Sequence, residues 1–124
     1  MKIALIAHDE KKQALLDWVT QHQSALSSIP IVATGTTGGL IKQQFPEFDV
    51  TPLKSGPLGG DRQIGALIAE KQLHGLIFFI DPLSPHPHDV DIKALLLLAI
   101  LYNIPFACNS ATADFFVTCS DWSS

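Results

Sequence analysis

No membrane-length apolar run, no cysteine framework and no excess of positive charge organises this chain, and each absence removes a class of function. The longest apolar stretch falls short of the ~20 residues that cross a bilayer. The net charge is −4, which argues against a nucleic-acid binder, because such proteins carry a basic face. Only two cysteines occur, Cys108 and Cys119, and they form neither a metal-spaced nor a redox pair. Met1 runs straight into a strand-like segment ending in His8 and Asp9, unlike a secretory leader. A reduced, cytoplasmic protein is therefore expected. Charge is scarce altogether, with charged residues at 16% against 47% hydrophobic and a mean hydropathy of +0.25. For 124 residues, one domain by length, that composition is apolar, and burial of some of it between subunits is expected. No internal repeat, linker or low-complexity segment is evident.

What is present alternates. Ile3 to Ala7 is an almost wholly apolar run, as in a parallel strand covered on both faces. A helical pattern follows in Ala14, Leu15, Trp18 and Val19. Ile29 to Ala33 reads as a second strand opening into Thr34-Gly35-Thr36-Thr37, after which Leu40 and Ile41 begin a short helix that stops before Pro46. Val50 to Leu53 is a third strand, followed by a glycine-rich loop and a helix over about Asp61 to Leu73. Gly75 to Ile80 is a fourth strand ending at Asp81, and a helix spans about Val90 to Tyr102. Ile104 to Cys108 is a fifth strand and Ala111 to Val117 a last helix. This alternation with short connections predicts an α/β domain, a five-stranded mainly parallel sheet flanked by helices, over residues 1–124. Right-handed crossovers then bring the C-terminal end of every strand to one rim.

The polar clusters fall on that rim. Thr34 to Thr37 offer hydroxyls and free backbone N–H groups at a helix start, a setting for phosphate. Ser55 and Gly56 repeat the offer one strand along, and Lys12 reaches over the same edge as a point charge. A lone lysine or Thr-Gly turn is usually plain surface; three such elements on one rim point to a small phosphorylated ligand. Asp61, after Gly59-Gly60, is either a helix cap or a general base beside that cradle. Taken alone the loop favours the cap; the rest of the rim favours the base.

The segment Asp81 to Asp91 is the second dense cluster. His86-x-His88-Asp89 echoes a metallohydrolase spacing, but no further ligand has credible spacing. The plain reading makes Asp89 a cap and leaves the histidines at the surface. The catalytic one uses His88 as acid or electrophile, positioned by a carboxylate such as Asp91. His22 and His74 read as helix-end surface residues.

Residues 3–9 (Ile-Ala-Leu-Ile-Ala-His-Asp), 33–38 (Ala-Thr-Gly-Thr-Thr-Gly), 55–61 (Ser-Gly-Pro-Leu-Gly-Gly-Asp), 78–83 (Phe-Phe-Ile-Asp-Pro-Leu), 87–95 (Pro-His-Asp-Val-Asp-Ile-Lys-Ala-Leu) and 109–115 (Asn-Ser-Ala-Thr-Ala-Asp-Phe) together resemble the methylglyoxal synthase family, in order and across nearly the whole chain. The resemblance implies a compact α/β fold, usually a homohexamer. It implies conversion of dihydroxyacetone phosphate to methylglyoxal and inorganic phosphate with no metal or organic cofactor. By position Asp61 matches the family's catalytic base and His88 its catalytic histidine. His8, Lys12, Thr34, Gly35, Thr36, Thr37, Ser55 and Gly56 match substrate and phosphate contacts, while Asp9, Asp81 and Asp91 match acidic residues supporting the site. Arg62 stands where the family usually has Gln, and Val90 where it often has Pro. Ser124 also falls short of the longer tail that in some members lends an arginine to a neighbouring site.

The expected partners are thus a phosphorylated small molecule and further copies of the chain, not nucleic acid or membrane. An independent motive for oligomerisation is Ala94 to Tyr102, nine residues without a charge or a polar non-aromatic side chain. The rival is a regulatory domain of the same fold, resembling the allosteric domain of carbamoyl phosphate synthetase. It would keep the cradle but has no need of Asp61 with His88 and Asp91. A metallohydrolase would be betrayed by chelation, and a purely structural protein leaves the rim unexplained.

Overall fold

β1 (Ile3–Ala7) is buried along its whole length, and the sheet is built outward from it. It pairs in parallel with β2 (Ile31–Thr34) on one side and with β4 (Gly75–Phe79) on the other. β3 (Val50–Leu53) extends the sheet beyond β2, and β5 (Phe106–Ala107) extends it beyond β4, giving the parallel order β3-β2-β1-β4-β5. The computed structural model describes residues 2–54, 60–83 and 89–118, without the side chains of Asp61, Asp89, Val90, Asp91, Ile92 and Thr118.

Alternate residues of β1 feed two cores, as strand pleating requires. Ile3, Leu5 and Ala7 join a cluster holding Leu15, Trp18 and Val19 of α1 (Lys12–Gln21), Leu26 of α2 (Gln23–Leu26), Ile41 of α3 (Gly35–Gln44) and Ala113 of α6 (Ser110–Thr118). Ala4 and Ile6 join the opposite cluster with Ile64 and Ile68 of α4 (Gly60–Ala69) and Leu95 and Ala99 of α5 (Asp89–Leu101). The buried indole of Trp18 donates to Asp114 Oδ1 at 2.9 Å, fastening α6 to α1.

Element boundaries differ from the sequence reading for identifiable reasons. Ile29 belongs to a turn rather than to β2, since its N–H donates to Leu26 O at 3.1 Å. α3 starts at Gly35, ahead of the apolar signal at Leu40, because Gly35 takes the left-handed conformation (φ 50°) that turns the chain from β2 into the helix. α4 ends at Ala69 rather than Leu73. Lys71 is left-handed (φ 60°), its N–H donates to Ile68 O, and the Gln72 N–H reaches back to Leu67 O. α5 stops the same way at Asn103 (φ 56°), where the Ile104 N–H donates to Ala99 O at 2.8 Å. Ile104 is thereby tied to the helix end, and β5 is reduced to two residues.

Candidate active site

The strand order reverses direction on either side of β1, and the crevice at such a switch is where open α/β sheets bind ligands. Two sequence-predicted residues meet there. The His8 N–H, just past β1, donates to Phe79 O at 3.1 Å, and the Asp81 N–H, just past β4, donates to His8 Nδ1 at 2.9 Å. An accepting Nδ1 places the proton of the neutral imidazole on Nε2. The ring stands edge-on to Phe78, with centroids 5.2 Å apart, and both His8 and Asp81 are buried. Asp81 Oδ1 in turn accepts the Leu83 N–H at 3.0 Å, an Asx-type turn that steers the chain out of β4.

A second convergence lies on the other side of β1. A 3₁₀ turn (Asp9–Lys11) brings Lys12 to the first position of α1. From there Lys12 Nζ donates to Thr36 Oγ1 at 2.5 Å and pairs with Asp9 Oδ1 at 2.8 Å. Thr36 lies in the first turn of α3, at whose N-cap Thr34 makes no side-chain capping bond. The first-turn amides and the positive end of the helix dipole therefore stand beside an ammonium. Thr34 and Thr37 are buried, so the exposed hydroxyl of this turn is that of Thr36. Gly35, Thr36 and Lys12 thus stand together at the start of α3.

α4 adjoins this cluster. It begins at Gly60, so Asp61 lies inside the first turn rather than at the cap. Gly60 is buried against Lys54 and Thr34: a Cβ there would stand 1.9 Å from Lys54 O and 3.0 Å from Thr34 Cγ2. The turn that carries Asp61 is thus seated on the residue that opens α3. Asp91 lies in the first turn of α5, while Ser55, Gly56, His86 and His88 fall outside the described residues. Among the described residues, no group of three or more His, Cys, Asp or Glu is placed to hold a metal ion. Burial pushes the Cys108 thiol up, which keeps it protonated and a poor nucleophile.

Three contacts were missed in the sequence reading. The Lys54 N–H donates to Gln63 Oε1 at 2.8 Å. His22, read as a surface residue, bonds through Nε2 to the same Asp114 Oδ1 that Trp18 engages, at 3.0 Å. Its signal was the i, i+4 spacing from Trp18 on one helix face. His74, also read as surface, accepts the Lys2 N–H on Nδ1 at 3.2 Å.

Residues 14–108 match the family described as an MGS-like domain. A methylglyoxal synthase of Oleidesulfovibrio alaskensis is 61% identical over 116 residues, covering 94% of this chain and 79% of that one. A methylglyoxal synthase of Brucella ovis is 57% identical over 121 residues, covering 98% and 97%. The crystal structure of methylglyoxal synthase from Elizabethkingia anophelis matches with a TM-score of 0.92 at 46% identity, over 99% of this chain and 80% of that one.

Proposed function

The chain belongs to the methylglyoxal synthase family, and we propose that it works as a carbon–oxygen lyase, converting dihydroxyacetone phosphate to methylglyoxal and inorganic phosphate. One observation carries the reading beyond family membership. Lys12 reaches across the rim to the N-terminus of α3, directly beside the helix turn that holds Asp61. A phosphate bound between Lys12 and the α3 amides would leave the carbon skeleton of the substrate facing α4.

In the proposed reaction Asp61 removes a proton from the hydroxyl-bearing carbon beside the ketone, and the electron pair forms an enediolate. His88, as neutral imidazole, polarises the carbonyl and moves a proton between the enediol oxygens. The enediolate electrons then expel phosphate, which leaves with the electron pair of the broken C–O bond, and the resulting enol tautomerises to methylglyoxal. Elimination requires that C–O bond to stand perpendicular to the enediolate plane. Lys12, Thr34, Gly35, Thr36 and Thr37, with Ser55 and Gly56, are proposed to hold the phosphate in that geometry, so the cradle selects elimination over isomerisation. His8 is proposed to contact substrate through Nε2, with Asp81 and Asp9 fixing His8 and Lys12 and Asp91 orienting His88.

The test is to incubate the pure protein with dihydroxyacetone phosphate and follow methylglyoxal and phosphate together, before and after EDTA treatment and desalting. Equimolar products, unaffected by EDTA, are expected. Phosphate binding without turnover would instead identify a regulatory domain, and turnover lost to EDTA and restored by zinc would return the His86-His88 metal reading.

The proposed functional form is a homo-oligomer, a hexamer by family likeness, of one domain over residues 1–124 in the cytoplasm. α5 supports assembly: Leu95 and Ala99 are buried, but Leu97, Ile100 and Leu101 on its outer side are 59%, 61% and 74% exposed. Three large aliphatic side chains on adjoining turns are what a subunit contact covers. Light scattering at micromolar concentration is expected to report several times the 13.5 kDa chain mass, and a monomer there would refute it.

A further inference from the structure

Gln63 has no part in the chemistry proposed above, yet its side chain makes a specific contact at the rim. The backbone of Lys54, the first residue after β3, meets α4 through both its N–H and its carbonyl. Its N–H donates to Gln63 Oε1 at 2.8 Å, and its carbonyl oxygen lies where the Cβ of any residue but glycine at position 60 would be. Both contacts come from the first turn of α4, on either side of Asp61. Lys54 follows directly on Leu53, which is half-buried and packs into the α4–α5 core. The Lys54 backbone thus continues directly from a strand anchored in the core, and the first turn of α4 is registered against it.

We propose that Gln63 is a positioning residue: its carboxamide oxygen, held by the Lys54 amide, sets where the Asp61-bearing turn stands relative to the strand ends and the anion cradle. The inference rests on the reading of Asp61 as the base. Gly60, lacking a Cβ, lets α4 approach Lys54 closely, and Gln63 prevents the turn from rotating about that contact. A base that takes a proton from carbon is sensitive to displacements of less than an ångström, so loss of one hydrogen bond is amplified in turnover. Residues two apart on a helix do not face one another, so Gln63 acts through the backbone of the turn rather than by touching Asp61.

The test compares Gln63→Met, which keeps length but has no accepting oxygen, with Gln63→Glu, which keeps the oxygen. Gln63→Met is expected to lose on the order of tenfold in kcat, with a thermal midpoint within a few degrees of the parent chain. Gln63→Glu is expected to retain most of the parent kcat. In parallel, hydrogen exchange of the Lys54 amide, followed by NMR, is expected to quicken in Gln63→Met and not in Gln63→Glu. This readout does not depend on any substrate. Parent-level turnover in Gln63→Met, equal losses in both variants, or a loss matching the unfolded fraction would each overturn the proposal. Failure of the functional reading itself is separate, since it would appear as absent turnover in the parent chain.

Discussion

Asp61→Asn is expected to fold, to bind inorganic phosphate like the parent chain, and to lose turnover by about 10²- to 10⁴-fold. Asn matches Asp in shape but cannot accept a proton from carbon. What it gives up structurally is small, because Asp61 lies in the first turn of α4 and a carboxylate there gains only about 0.3–1 kcal/mol from the helix dipole. Stability and activity therefore separate in one variant. Thermal unfolding, phosphate titration and a methylglyoxal assay on the same preparation decide the matter. Near-parent turnover would remove Asp61 from the chemistry and move the search to Asp9, Asp81 and Asp91.

Gly60→Ala is expected to fail on both counts. The added methyl meets the Lys54 carbonyl oxygen at 1.9 Å, and a backbone atom cannot swing away as a side chain could. The first turn of α4 must lift off β3, at a cost on the order of 3 kcal/mol, or a fall of about 10 °C in melting temperature. Turnover is expected to fall by about 10²-fold even where the protein remains folded, since the same displacement moves Asp61. Gly39→Ala is the control. It lies inside α3 with nothing within 4 Å of its added Cβ, and replacing a mid-helix glycine there is expected to stabilise by about 0.5–1 kcal/mol. Equal melting temperatures for the two variants would show that α4 is not seated on Lys54 as described.

The sheet was legible because buried parallel strands are written as unbroken apolar runs; Ile3–Ala7 and Gly75–Phe79 show it plainly. The rim was legible at second hand. Once the strands are parallel, His8, Thr34 and Asp81 must come to one edge, and the structure joins His8 to Asp81 across 73 residues. The start of α3 was hidden, because Gly35, Thr36 and Thr37 are poor helix formers and the left-handed turn at Gly35 that leads into the helix has no apolar periodicity to announce it. The Gln63–Lys54 contact had no signal at all. A glutamine on the exposed side of a helix reads as surface whether or not its oxygen finds a strand-end amide, and nothing in spacing or charge tells the two apart.

The central place of β1 bears on how the chain acquires its native structure. The strand made first has both neighbours drawn from later sequence, with Ile3 beside Ile31 on one side and Gly75 on the other. Half of its backbone pairing thus waits for a segment about seventy residues downstream, and closing so long a loop is slow on the scale of helix formation. Until β4 arrives, Ala4 and Ile6 present apolar surface with no Leu76 or Phe78 against them. The His8–Asp81 bond can form only after that docking, so this part of the rim needs segments 73 residues apart to have met. A chain in which β4 has not docked therefore lacks the His8–Asp81 contact, whichever of its helices have formed.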